Sequence, residues 1–206
     1  MSILDKIKHP HIRTFRLVAE AGATRASTAL TKWIRKPIGL IVTRVDIVPF
    51  KDVATVVGGS ETMLVGVYLR MVGDIEGNLM LAFTEPDAVK FVSVLVRHPV
   101  ETPGEWGELE RSSLQETGNI LGSAFLNAMA DALDYDIKPT SPSYARDYTS
   151  ALIESVLMDY AEVGDKAIVI DTTFSREARA TTPSARRTFC CCRRLRLWRR
   201  SWRGWA

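Results

Sequence analysis

The first 175 residues contain no cysteine; all three, Cys190, Cys191 and Cys192, sit together near the end of the chain. No disulfide framework supports that body, which suits a reducing compartment. No apolar run reaches the ~18 residues of a membrane span. The opening MSILDKIKHP lacks the apolar stretch of a secretory signal. The expectation is a cytoplasmic protein. The glycine-rich phosphate loops, the G-x-G-x-x-G fingerprint and the G-x-S-x-G elbow are also missing. Histidine is scarce. His9 and His11 have no acid or cysteine partner in register and read as part of a flexible terminus. His98, before Pro99, reads as a helix C-cap. Gly58-Gly59-Ser60 reads as a turn.

What the chain does contain is apolar content for a core: 46% of its 206 residues are hydrophobic. That length fits one domain, or two joined halves. The net charge of +3 conceals a break. Residues 176–206 hold ten arginines and one acid, Glu177. Residues 1–175 therefore hold 17 of the 27 cations and 23 of the 24 acids, a net charge of −6.

The body reads as a duplication. Residues 11–35 are helix-like and end at Lys36-Pro37, since proline cannot continue a helix. Ile38 to Val48 is rich in β-branched residues and reads as extended. Thr62–Met71 and Asn78–Phe83 read as a strand pair joined by Gly73–Gly77. Thr84 then caps a short helix to about Val96. After a Pro103-Gly104-Glu105 linker the order recurs. A long helix spans Glu108–Leu133, an extended stretch Tyr135–Ser141, a helix Tyr148–Tyr160 and a strand Lys166–Phe174. Laying Leu17 on Glu116 sets a period of about 99 residues. The expected fold class is α+β: a pseudo-symmetric duplication of a helix plus three-strand unit, with long helices covering a largely antiparallel sheet. The halves span about 10–100 and 104–175.

On the second long helix, Ser112, Glu116 and Asn119 stand at i, i+4 and i+7, one exposed stripe. Leu114, Leu121, Phe125, Ala128 and Ala132 point roughly the other way, toward a core. Gly118 and Gly122 remove side chains beside the stripe, so that another molecule can approach.

This context resembles the CheC/CheX/FliY family of chemotaxis phosphatases. The family signature is Asp or Ser, three residues, Glu, two residues, Asn, twenty-two residues, Pro. Here it is Ser112, Glu116, Asn119 and Pro142 with every spacing kept. Glu116-Thr117-Gly118-Asn119-Ile120 is similar to the family's Glu-Ile-Gly-Asn-Ile, and Gly22–Leu30, Val45–Pro49 and Gly73–Gly77 agree with it too. Two halves favour CheC over the smaller CheX. The first half departs at all four positions, with Arg13, Leu17, Glu20 and Thr43, and is expected to be catalytically silent. Leu17 is expected to pack.

The resemblance implies an aspartyl-phosphate phosphatase acting on the response regulator CheY. Asn119 would orient the water, Glu116 would fix the docking, and Ser112 and Pro142 would support the geometry. The chain would need no cofactor of its own; Mg²⁺ is expected on the phosphorylated partner. An alternative is a mainly non-catalytic role as partner of CheD, a receptor deamidase. No membrane contact is expected.

The basic tail, 176–206, permits a third reading, nucleic-acid binding through arginine and tryptophan. The favoured reading is different. The first half's final strand and helix do not recur after Phe174. Cysteine codons are TGY; read two nucleotides on, three in a row become YTG, always leucine. Phe189–Arg193 then reads apolar-Leu-Leu-Leu-Pro or Ser, the missing strand. Residues 176–206 are thus expected to be frame-shifted or disordered, with the frame lost between about Phe174 and Arg187; if the tail is genuine as written, the sheet is expected to be one strand short. Nucleic-acid binding is not expected.

Overall fold

A computed structural model describes residues 9–158, 166–175 and 185–195, with only the backbone described at 9–11 and 185–195. Helix α1 (His9–Ile34) ends where Arg35 adopts a left-handed φ of 58° and Pro37 follows. Two hydroxyls then pin the next strand to it. The Ile38 N–H donates to Thr31 Oγ1 at 3.1 Å, and the Leu40 N–H donates to Ser27 Oγ at 2.8 Å. Strand β1 (Gly39–Pro49) runs directly into a short helix, α2 (Phe50–Val57). The turn at Gly58-Gly59 leads into β2 (Met63–Gly73), and β3 (Ile75–Thr84) returns beside it. Gly73 has φ 119°, and a Cβ there would strike the Asp136 carbonyl, so glycine is required twice over.

Thr84 caps α3 (Glu85–Val96) as expected, accepting the Asp87 N–H at 3.4 Å. The left-handed C-cap is Arg97, not His98; the His98 ring nitrogen Nδ1 lies 2.9 Å from the Pro99 carbonyl. A short turn at Pro103–Glu105 precedes α4 (Glu108–Leu133). The stretch expected to be extended over Tyr135–Ser141 forms only the three-residue β4 (Ile137–Pro139). It is followed by β5 (Ser143–Tyr148), α5 (Thr149–Leu157), β6 (Lys166–Ser175) and β7 (Ala185–Leu195).

All strand pairs are antiparallel, in the order β1-β6-β7-β3-β2-β4, with β5 also on β2. The duplication is visible in this order. A shift of 99 residues carries Phe50–Val57 of α2 onto α5. The first strand of each half pairs with the second strand of the other: β1 with β6, β5 with β2. The halves are therefore interlocked. The second half also extends past residue 175, because β7 lies between β6 and β3. The sheet is not one strand short. A ladder is made by backbone N–H and C=O groups, which every residue but proline supplies, so this pairing is indifferent to the frame in which the side chains are read. Residues 176–184 and 196–206, with the three tryptophans and six of the ten arginines of the tail, lie outside the described residues, as do the side chains of His9, His11 and the three cysteines.

Alternation along the strands feeds a core on each face of the sheet, and a third cluster (Leu69, Met71, Leu79, Leu126) packs under the end of α4. Val65, Val67, Leu81, Phe83, Ile168 and Ile170 face α1, α3 and α4. Leu64, Met80, Ala82, Ala167 and Val169 face α2 and α5. Each core alternates with the other by a period of two, which is why β3 reads as an unbroken apolar run from Leu79 to Phe83.

Candidate active site

Helix α4 lies flat on the sheet because it has no side chain at two points of contact. A Cβ at Gly118 would overlap Val67 of β2, and one at Gly122 would come within 3.0 Å of Leu69. These glycines therefore admit the sheet, not an incoming molecule. Helical geometry agrees: Gly118 is two residues, about 200°, from Glu116. Leu114, Leu121, Phe125 and Ala128 are buried as expected, whereas Ala132 is exposed.

The opposite face presents the stripe. Ser112 and Glu116 are exposed and Asn119 is half-buried. Ser112 Oγ donates back to the Leu109 carbonyl at 3.2 Å. Among the described residues no hydrogen bond or ion pair engages the side chain of Glu116 or Asn119, so both are available to a partner. Thr117, between them, is buried and donates its hydroxyl to the Ser113 carbonyl at 3.0 Å.

Pro142 lies between β4 and β5 and is brought to the same place by a residue that sequence reasoning missed. Gln115 Nε2 donates to the Pro142 carbonyl at 3.2 Å. On its other side the loop is fixed to β2 by two bonds: Thr140 N–H to Arg70 O at 2.8 Å, and Arg70 N–H to Thr140 Oγ1 at 3.1 Å. The wall beyond Pro142 is Tyr144. Its ring is tilted on Trp106 at 6.3 Å, and the Arg111 guanidinium lies 5.8 Å from its centre. Burial pushes the Tyr144 hydroxyl pKa up, against the pull of Arg111 and Arg146. Gln115 left no trace in the sequence because its partner is 27 residues away and the contact is to a backbone atom.

The matching positions of the first half sit on α1 and β1 with different chemistry. Arg13 is exposed, and Leu17 is 61% exposed, contrary to the expectation that it packs. The inward face of α1 is the ladder Ala19, Ala23, Ala26 and Leu30, and Leu17 is about 200° from Ala19. Glu20 Oε1 accepts from Arg16 Nε at 2.9 Å, a pair close to half exposed on both sides and worth little. Thr43 lies in β1 and donates its hydroxyl to the Asp171 carbonyl of β6 at 3.0 Å. The two long helices are joined where Gly22 meets Phe125 and where Arg25 bridges Asp131 at 2.7 Å.

No protein-family model matches the chain. A Bacillus subtilis (strain 168) protein named CheY-P phosphatase CheC is 30% identical over 176 residues, which is 84% of each protein. The chain belongs to the CheC family. Solved structures agree on the fold. Thermotoga maritima FliY superposes with a TM-score of 0.69 at 15% identity, covering 89% of this chain and 90% of that one. CheX from Borrelia burgdorferi, in a complex with CheY, BeF3 and Mg, gives 0.56 at 16% identity, covering 85% and 97%. In this CheC-family chain α4 carries Ser112, Glu116 and Asn119, and the α1 positions 99 residues earlier carry Arg13, Leu17 and Glu20. Among the described residues, no group of three or more His, Cys, Asp or Glu is placed to hold a metal, and no helix is long and apolar enough to cross a membrane.

Proposed function

We propose that this CheC-family chain hydrolyses the aspartyl phosphate of phosphorylated CheY at one site, on α4. The observation that supports this most is the free pair Glu116 and Asn119 on the outward face of a helix whose inward face is clamped to the sheet. A rigid element with unengaged polar groups holds a reacting water at little further entropic cost.

The roles follow from the donors and acceptors. Asn119 has an amide oxygen that accepts from a water and an NH₂ that donates toward a phosphoryl oxygen. It removes no proton, so its contribution is orientation. Glu116, one turn earlier and fully acceptor-only when ionised, holds a cation or hydroxyl of the regulator and sets the angle of docking. Gln115 keeps Pro142 against the helix, and Ser112 stays folded onto its own turn. A Mg²⁺ held by the phosphorylated regulator offsets charge on the phosphoryl oxygens. The proposed setting is the cytoplasm.

The test is phosphate release from phosphorylated CheY. Asn119→Ala lowers the rate by about 100-fold while the circular dichroism spectrum stays that of the parent. Leu17→Ala, on the silent half, keeps the parent rate. A parent-like rate in Asn119→Ala overturns the assignment.

A second reading is that the chain serves mainly as a non-catalytic partner of CheD. It draws on the exposed Leu17, which offers apolar contact and no chemistry where the other half has Glu116. Release rates with and without CheD separate the two: a chain inactive alone and with CheD, yet bound to it, favours the second.

A further inference from the structure

A cleft of about 670 Å³ opens between α3, the loop joining α1 to β1, and the end of β6. It shares no lining residue with the α4 stripe. Its apolar surface comes from Ile38, Phe91 and Val94, and its charged groups are all cations: Lys36 from the loop, Lys90 on α3 and Arg97 at the end of α3. Among the described residues no aspartate or glutamate lines it. That is unusual in a body carrying a net charge of −6.

Carboxylates do neutralise some cations of the body. Arg16, Arg25, Arg44 and Arg146 each bridge a carboxylate. Among the described residues no ion pair engages Lys36, Lys90 or Arg97. Three like charges gathered around one cleft add to a positive potential there, which favours an anion.

The cleft is also built. Lys90 and Val94 stand at i and i+4 on one face of α3, and Arg97 is its left-handed C-cap. Ser93 closes its far wall: its hydroxyl donates to the Val89 carbonyl at 2.8 Å and accepts the Val100 N–H at 3.3 Å, which ties the segment after Arg97 back onto the helix. The volume is that of a small-molecule site, not of a protein-binding groove.

We propose that this cleft binds a small amphiphilic anion, a carboxylate, phosphate or sulfonate group on a compact apolar or aromatic body. The anionic group sits among Lys36, Lys90 and Arg97, and the body lies on Phe91, Ile38 and Val94. The proposal goes beyond the phosphatase reading and does not depend on it.

The test titrates the full chain with anilinonaphthalene sulfonate, an aryl sulfonate of this chemistry, followed by fluorescence. The parent is compared with the Lys90→Glu, Arg97→Glu double variant, whose two positions are exposed and outside the core. The double variant is expected to bind at least about tenfold more weakly. Uncharged phenylnaphthylamine is expected to bind the parent more weakly than the sulfonate, and inorganic phosphate to compete with the sulfonate on the parent alone. Equal sulfonate affinity in parent and variant overturns the proposal. So does phenylnaphthylamine binding as tightly as the sulfonate, or sulfonate fluorescence that appears only as the near-ultraviolet circular dichroism is lost. Phosphatase rate is not the readout, so failure here leaves the assignment of Asn119 standing.

Discussion

A methyl group at position 118 would run into Val67 of β2. Gly118→Ala therefore sets two effects against each other. The helix gains up to ~1 kcal/mol of propensity. The contact with the sheet loses ~1–3 kcal/mol, because an overpacked interior can only shift backbone or rotamers. Packing wins, since the obstacle is a β-branched side chain on a buried strand with little room to turn. The expected result is a lower urea midpoint with an unchanged slope; a raised midpoint would show that α4 lifts freely off the sheet. The stripe Ser112, Glu116 and Asn119 was legible in the sequence from its spacing alone. The meaning of Gly118 was not read correctly, although the same helical geometry already placed it opposite Glu116. Leu17 was misjudged for a related reason. Hydrophobicity alone assigned it to the core, but α1 meets its neighbours through alanines that let the helices come close.

At the scale of the element, local chemistry predicted most of what formed. The α3 boundary follows from Thr84 and Pro86, and the cap is present, with the Thr84 hydroxyl also donating to Asp87 Oδ2 at 3.0 Å. Thr84→Ala is expected to lower stability by about 1 kcal/mol, read from the thermal or urea midpoint. No change would mean that packing of Ala88, Phe91 and Val92 holds the helix start unaided. Two elements escaped local reading. Helix α2 has only eight residues and is dense in valine, so its propensity points to strand; burial of Val53 and Val57 against the sheet overrides that. Strand β5, Ser-Tyr-Ala-Arg-Asp-Tyr, lacks buried alternation, because it lies along β2 with most of its side chains toward water. Only its pairing partner reveals it.

For the molecule as a whole, the exchange of first strands makes the halves one cooperative unit. Neither β1 nor β5 pairs with a strand of its own half. Strand β7 has a similar role, since it separates β6 from β3 at the middle of the sheet. A chain stopped after Ser175 loses that strand and leaves two apolar strands with open edges. Aggregation or a sharply lower unfolding midpoint is expected on truncation, measured by light scattering and circular dichroism. A soluble, equally stable 1–175 would show that β7 contributes nothing to folding. The proposal that the frame is lost between about Phe174 and Arg187 stands apart from this. It is checked by resequencing the gene and by the intact mass of the purified protein, and a mass matching the sequence as written would refute it.

By itself the sequence determined what repeats and what shares a face. Helical and strand periods, caps and the shift of about 99 residues between the long helices are local properties of the chain, so the duplication, the long helices and the Glu116/Asn119 stripe could be read without coordinates. Tertiary structure decided which face meets the sheet and which strands meet each other. It turned Gly118 and Gly122 inward, left Leu17 in water, brought Gln115 to Pro142 and passed β1 and β5 into the opposite halves. These outcomes depend on contacts between residues far apart in sequence, whose strength lies in burial and complementarity and leaves no period along the chain.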